Sequence, residues 1–186
     1  VAEISGCYAA ILGPSKVYSS LKDIDELIVN CSTYCRINIS ACNTGFYFEG
    51  KKLTINSLDT SNVTDMSCMF GSSKYVTSLE VSKFDTSKVT DMHYMFIGCA
   101  SLQSLNLSNF NTSKVTNMVG IFGGCDSLQT LDISGWDLTN ASKRSMFVGC
   151  KRLNTIYMRN CSQTTIDKIK DELGYANILD QVTIIT

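Results

Sequence analysis

The chain has 186 residues, 44% of them hydrophobic, with a mean hydropathy of +0.06. That is enough apolar material for one packed domain and too much for a disordered chain. Sixteen basic and 17 acidic residues, spread along the chain, leave a formal charge of −1, which gives no reason to expect a nucleic-acid or anionic-membrane partner. No apolar run reaches the roughly 20 residues that span a bilayer. Val1 opens no signal-peptide pattern, so the chain reads as a processed or trimmed piece, and any export signal would lie out of view.

In chain order, residues 1–16 carry the least readable pattern. SSLKDIDELIVNC then predicts a short helix with Leu21, Ile24 and Leu27 on one side. RINIS (36–40), GFYFEG (45–50) and KKLTIN (51–56) read as strands of an irregular first pair of turns of chain. From Leu53 the sequence becomes repetitive. Units start at Leu53, Leu79, Leu105, Leu131 and Ile156, spaced 26, 26, 26 and 25 residues apart. Each opens with an alternating segment: LTINSL, LEVSKF, LNLSNF, LDISGW or IYMRNC. Apolar residues at its first and third positions and a large residue at the sixth predict a short half-buried strand and a turn.

A recurring phrase follows, FDTSKVTDMHYMF at 84–96 and FNTSKVTNMVGIF at 110–122. Within it Val89, Met92, Phe96 and Cys99 are spaced 3, 4 and 3 apart, which predicts a short helical or 3₁₀ turn. Thr90 and Asp91 suit the start of that turn. Gly98, Gly124 and Gly149, with Ser72 in the first unit, stand where a left-handed residue ends it. One such unit cannot bury its apolar side, whereas a stack of them can. The predicted fold is therefore an α/β solenoid of about 26-residue units, each a short strand plus a short helical turn. Ladders of Val63, Val89, Val115 and Ala141, of Met66, Met92 and Met118, and of Phe70, Phe96, Phe122 and Phe147 run through it. It forms a single domain over 1–186, with an N-terminal cap at 1–52, four repeats at 53–155 and a C-terminal cap at 156–186. In that last segment a helix begins near Thr164 or Thr165, buries Ile166, Ile169 and Leu173, and ends at Gly174. QVTIIT (181–186) closes the chain as a strand.

The pattern L-x-[LIV]-S-x-F-[DN]-T-S-[NK]-V-T-[DN]-M-x-x-M-F-x-G-C-x-x-L resembles the repeat of BspA-like leucine-rich-repeat surface proteins of bacteria, over about residues 53–155. The fourth unit departs from it: LTNASKRSMF lacks the Val, the Asp or Asn and the first Met, and is one residue shorter. The resemblance implies a right-handed leucine-rich-repeat-like stack, export to the cell surface, and a role in adhesion and binding. Some relatives of that kind occur in phage-encoded proteins.

Chemistry-bearing residues are sparse in pattern. Cys99, Cys125 and Cys150 share one repeat position behind the apolar face, which marks them, with Cys161, as small buried hydrophobes. Cys7, Cys31, Cys35 and Cys42 lie outside the repeat and leave zinc, a disulfide or free thiols open. His93 is the only histidine and belongs to no recurring cluster. No H-E-x-x-H, G-x-S-x-G or phosphate-binding glycine loop occurs, so no catalysis, metal or cofactor is expected. The ladder Asp59, Asp85, Asn111 and Asp137, with Asp65, Asp91 and Asn117 beside it, suits turn closure better than calcium.

The strand face pointing away from the core is the candidate binding surface. It carries Thr54, Asn56, Glu80, Ser82, Asn106, Ser108, Asp132, Ser134, Tyr157 and Arg159, flanked by Gln103, Gln129 and Asn154. The residues expected to bind are Glu80, Asn106, Asp132, Tyr157, Arg159, Gln103 and Gln129. A polar sheet of this kind suits a protein or glycan of a host or neighbouring cell; a solvated face without a ligand is the alternative. The competing function is a structural spacer or a phage tail-fibre or receptor-binding component.

Overall fold

The structure, a computed structural model, describes residues 2–5, 26–30, 52–57 and 60–186, with side chains from Thr60 onward. Among the described residues eight short strands occur: β1 Ala2–Ser5, β2 Glu26–Asn30, β3 Lys52–Ser57, β4 Ser78–Glu80, β5 Ser104–Asn106, β6 Thr130–Asp132, β7 Thr155–Tyr157 and β8 Thr183–Ile185. They form two parallel sheets, in the orders β1-β2-β3-β4 and β5-β6-β7-β8. Leu27 pairs with Leu53, Leu53 with Leu79, Leu105 with Leu131 and Leu131 with Ile156, so the sequence repeat and the strand register coincide. A second parallel ladder runs Asp65, Asp91, Asn117, Ser142 and spans the step between β4 and β5, where the strands themselves are unpaired.

Two expectations near the N-terminus change. Leu27 lies in strand β2, not on a helix: its β-branched neighbours Ile28 and Val29 favour an extended chain, and pairing with both β1 and β3 supplies the hydrogen bonds. The strand register also continues back to Ala2, opposite Leu27. The expected strands at 36–40 and 45–50, and residues Leu21 and Ile24, lie outside the described residues.

The phrase after each strand is not helical. Its amides alternate between two destinations. Met92, Tyr94, Phe96 and Gly98 donate to the carbonyls of Asn117, Val119, Ile121 and Gly123 in the next unit, at 2.7–2.9 Å. The residues between them, Met95, Ile97 and Cys99, donate three residues back, to Met92, Tyr94 and Phe96. The same alternation holds for Met66, Cys68, Phe70 and Ser72 below, and for Met118, Gly120, Phe122 and Gly124 above. The result is a run of overlapping β-turns. Three-residue spacing survives in it, while the 3₁₀ or α ladder is lost to the neighbouring unit.

Such a run requires left-handed backbone at every fourth residue or so. Positive φ occurs at Cys68, Tyr94, Gly120 and Ser145, and again at Ser72, Gly98, Gly124 and Gly149. A Cβ added at Gly149 would sit 3.0 Å from the Gly124 Cα, so backbone meets backbone in that column. Gly120 answers a different need: a Cβ there would run into the Tyr94 ring.

The core is the sum of the columns. Phe70, Phe96, Phe122 and Phe147 stack face to face with centroids 5.6–5.9 Å apart, all buried. Trp136, Leu107, Leu131, Ile133, Met92 and Met118 fill the space between them and the strands. Burying each such side chain contributes about 1.5–3 kcal/mol. Cys99, Cys125 and Cys150 lie in the core as expected, and each thiol donates to the Phe carbonyl one unit back, at 3.2–3.3 Å. Cys161 is only half-buried, and its thiol donates to the Ile133 carbonyl at 3.4 Å.

Buried threonines clamp one unit to the next. Thr86 Oγ1 donates to the Asn111 carbonyl at 3.1 Å and accepts from the Asn111 amide at 2.7 Å. Thr60 does the same with Asp85, and Thr112 with Asp137. The fourth unit has Leu138 here, and its amide turns instead to Thr165 Oγ1 of the terminal helix.

That helix, α1, spans Gln163–Tyr175. It begins a residue or two before the expected start, because Ser162 serves as N-cap and accepts from the Thr165 amide. Ile166, Ile169 and Leu173 are buried as expected. Gly174 remains inside the helix, and the left-handed residue falls at Asn177. One face of α1 completes the backbone of the last repeat: Lys168 Nζ donates to the carbonyls of Leu138 and Thr139, and Glu172 Oε2 accepts from the Met146 amide.

Thr86→Val should remove both clamp bonds and leave a buried amide and carbonyl unsatisfied, costing about 1–3 kcal/mol in denaturant unfolding. Thr90→Val, at an exposed threonine one turn on, should cost under about 0.5 kcal/mol. Equal costs would contradict the clamp.

Candidate functional site

The strand face owes its polarity to register. Leu105, Leu131 and Ile156 point inward and are buried, which turns their chain neighbours outward. Pairing then aligns two outward rows across the second sheet. One is Ser104, Thr130, Thr155, Thr183, and the other is Asn106, Asp132, Tyr157, Ile185. Ser104, Leu105, Asn106, Thr130, Asp132 and Tyr157 line a shallow open depression of about 140 Å³. The Arg159 guanidinium lies over the Tyr157 ring, 4.6 Å from its centroid, a cation–π contact that holds the ring in place.

Of the expected binding residues, the structure brings Asn106, Asp132 and Tyr157 together, with Arg159 on the ring. Glu80 does not line the depression: it lies on β4, which adjoins β5 but is hydrogen-bonded into the other sheet. Gln103 and Gln129 are exposed but do not line the depression. Their carbonyls extend the ladder instead, Gln103 accepting from Gln129 and Thr130, and Gln129 from Asn154 and Thr155. The hydroxyl row, Ser104 through Thr183, is absent from the sequence-based face. Ser104, Thr130 and Thr155 each precede the apolar residue that opens a unit, and alternation read two residues backward from Asn106 would have found the row.

Three acceptors on this face also serve their own turns. Glu80 Oε1 accepts the Ser82 amide, Asn106 Oδ1 the Ser108 amide and Asp132 Oδ1 the Ser134 amide, at 2.9–3.0 Å. The next column repeats the device with Asp85, Asn111 and Asp137, and the column after it with Asp65, Asp91 and Asn117. These are the side chains weighed for calcium, and turn closure is what occupies them; Asp59 lies outside the described residues. Among the described residues no group of three or more His, Cys, Asp or Glu is placed to hold a metal ion.

Hydrogen bonding lowers several of these carboxyls. Ser87 donates to Asp85, Thr139 to Asp137 and Ser82 to Glu80, from hydroxyl and amide, which holds each below its ordinary value. For Asp91, burial pushes upward, and the His93 amide, the His93 ring and the Asn117 amide outweigh it. His93 Nδ1 is 2.7 Å from Asp91 Oδ1, and Asn117 Nδ2 donates to Asp91 Oδ2 at 3.1 Å.

The thiols are far from reactive. Burial pushes Cys99 and Cys150 up to about 12 and Cys125 well above the ordinary thiol value. Cys68 is disulfide-bonded, a bridge that the repeat pattern does not announce. The open alternatives for Cys7, Cys31, Cys35 and Cys42 lie outside the described residues.

Residues 37–161 match the model of the family described as "Mycoplasma protein of unknown function, DUF285". Comparison with curated proteins returns no match.

A carboxyl lowered in the folded state stabilises it above the unfolded value and ceases to do so as pH falls through the folded one. Acid should therefore unfold the protein progressively from about pH 4 downward. In the double variant Asp85→Asn and Asp137→Asn the turns should persist, as Asn111 shows, and the acid limb should flatten. Thermal melts across that range check this; an unchanged acid limb would mean these turns contribute nothing to it.

Proposed function

The chain belongs to the DUF285 family, and from that premise we propose a non-catalytic extracellular binding or adhesion module that takes its partner on the polar strand face. The reading treats the molecule as a right-handed, leucine-rich-repeat-like α/β solenoid of the BspA-like kind. The near-identical phrases and the 26-residue strand register support it. The observation that carries the binding site is the depression on β5–β7, where Asn106, Asp132 and Tyr157 converge beside Arg159. Repeat proteins present extended surfaces of this kind to their partners. The partner is a protein or glycan of a host or neighbouring cell, reached from outside the cell or from the cell surface. A formal charge of −1 argues against nucleic acid. Among the described residues no helix is long and apolar enough to cross a membrane.

A structural role is the second reading, as a spacer or a tail-fibre or receptor-binding component of a phage. The observation in its favour is that Glu80, Asn106 and Asp132 already accept hydrogen bonds from their own turns, which a purely solvated face would also show.

Binding to immobilised matrix proteins and to a glycan panel separates the two. The combined variant Glu80→Gln, Asn106→Asp, Asp132→Asn and Tyr157→Ala keeps every turn acceptor. It should unfold within a few degrees of the parent and lose about tenfold or more in affinity, since aromatic and charged anchors dominate such sites. Unchanged binding, or no binding by the parent protein to any surface, would leave the structural role.

A further inference from the structure

We propose that the face of β5–β8 accommodates an extended, uncharged glycan laid across the strands, one sugar residue to a strand, with Tyr157 as its platform. The proposal rests on the strand-face reading above and names the class of partner. Parallel strands lie about 4.8 Å apart, close to the advance of one sugar residue along an extended β-linked chain. The two outward rows repeat at that interval. Ser104, Thr130, Thr155 and Thr183 offer a hydroxyl on each strand in turn. A hydroxyl both donates and accepts, as do those of a sugar.

The second row adds an amide at Asn106 and a carboxylate at Asp132, whose Oδ2 is not engaged by the turn that Oδ1 closes. Thr155 donates its proton to Asn154 Oδ1 at 2.8 Å and so presents its lone pairs outward. The side chains are short and stand on paired strands, so binding would order little that is not already ordered.

The size and polarity of the depression fit the same ligand. About 140 Å³ is well below the roughly 300–1,000 Å³ of an enclosed small-molecule pocket, and it suits a single ring open to solvent on one side. The Arg159 guanidinium covers one face of the Tyr157 ring and leaves the other to the sugar, and Asp132 lines the same depression, so a polyanionic glycan meets a carboxylate there. A protein partner would need apolar anchors. On this face only Tyr157 and the half-buried Ile185 could serve so, and the exposed large hydrophobics among the described residues, Tyr75, Val148, Tyr175 and Leu179, all lie off these strands.

Calorimetric titration with neutral β-1,4-linked gluco- and N-acetylglucosamine oligosaccharides, from the monosaccharide to the hexasaccharide, tests this. Affinity should rise with each added sugar until every strand of the sheet is covered, then level off, and should respond little to salt. Tyr157→Ala should weaken the longest oligomers about tenfold and Tyr157→Phe should not, as expected for ring contact. Thr130→Val should weaken binding without lowering the melting temperature. Equal affinity for monomer and hexamer, preference for heparin or hyaluronan, or no binding to any of them would overturn the proposal. If a protein partner instead bound through the same face, the glycan assignment would fail and the strand-face reading would stand.

Discussion

Every second amide in the repeated phrase leaves its own unit and bonds to the next one. That single constraint accounts for most of the molecule. It forbids a helix, because the i→i+4 ladder would need those same amides. It forces the remaining amides into overlapping β-turns, and those turns in turn demand left-handed residues at fixed places. It also fixes the spacing between units, so that identical side chains meet in columns: Phe on Phe, thiol on carbonyl, threonine on backbone. A backbone stitched in this way is satisfied only where a further unit follows. The end of the array therefore needs a substitute, and α1 supplies it with Thr165, Lys168 and Glu172 in place of backbone partners.

Much of this was legible in the sequence where the letters repeat. The Phe, Met and Cys columns follow from the 26-residue period alone, and so do the left-handed positions marked by Gly98, Gly124 and Gly149. The terminal helix was legible from the spacing of Ile166, Ile169 and Leu173. The phrase itself was misleading for a physical reason. A run of β-turns with i→i+3 bonds places Val89, Met92, Phe96 and Cys99 on one side, as a helix would, and residue spacing does not reveal where the alternate amides go. Thr86 reads as a turn maker by residue type; only its burial shows that it spans two units.

The candidate site was half legible. Asn106, Asp132 and Tyr157 follow from alternation along the strands. Gln103 and Gln129 were drawn in by their polarity, yet what they contribute to the array is backbone. The hydroxyl row escaped notice because Ser104 and Thr130 stand just before the first apolar residue of each unit, where a strand boundary is hard to place. Leu27 was misplaced on a helix because Leu21, Ile24 and Leu27 mimic its period. The disulfide at Cys68 was hidden because Tyr94, Gly120 and Ser145 hold that repeat position in the other units.

The proposed function inherits its geometry from the stitching, since the rows of Ser, Thr, Asn and Asp on the outer face are in register only because the units are. Native-state hydrogen exchange tests that foundation most directly. The amides of Met92, Tyr94, Phe96 and Gly98, and of Met118, Gly120, Phe122 and Gly124, should exchange only through global unfolding, with protection matching the full unfolding free energy. Exchange at these positions as fast as at the exposed amides of Lys88 and Lys114 would contradict the account.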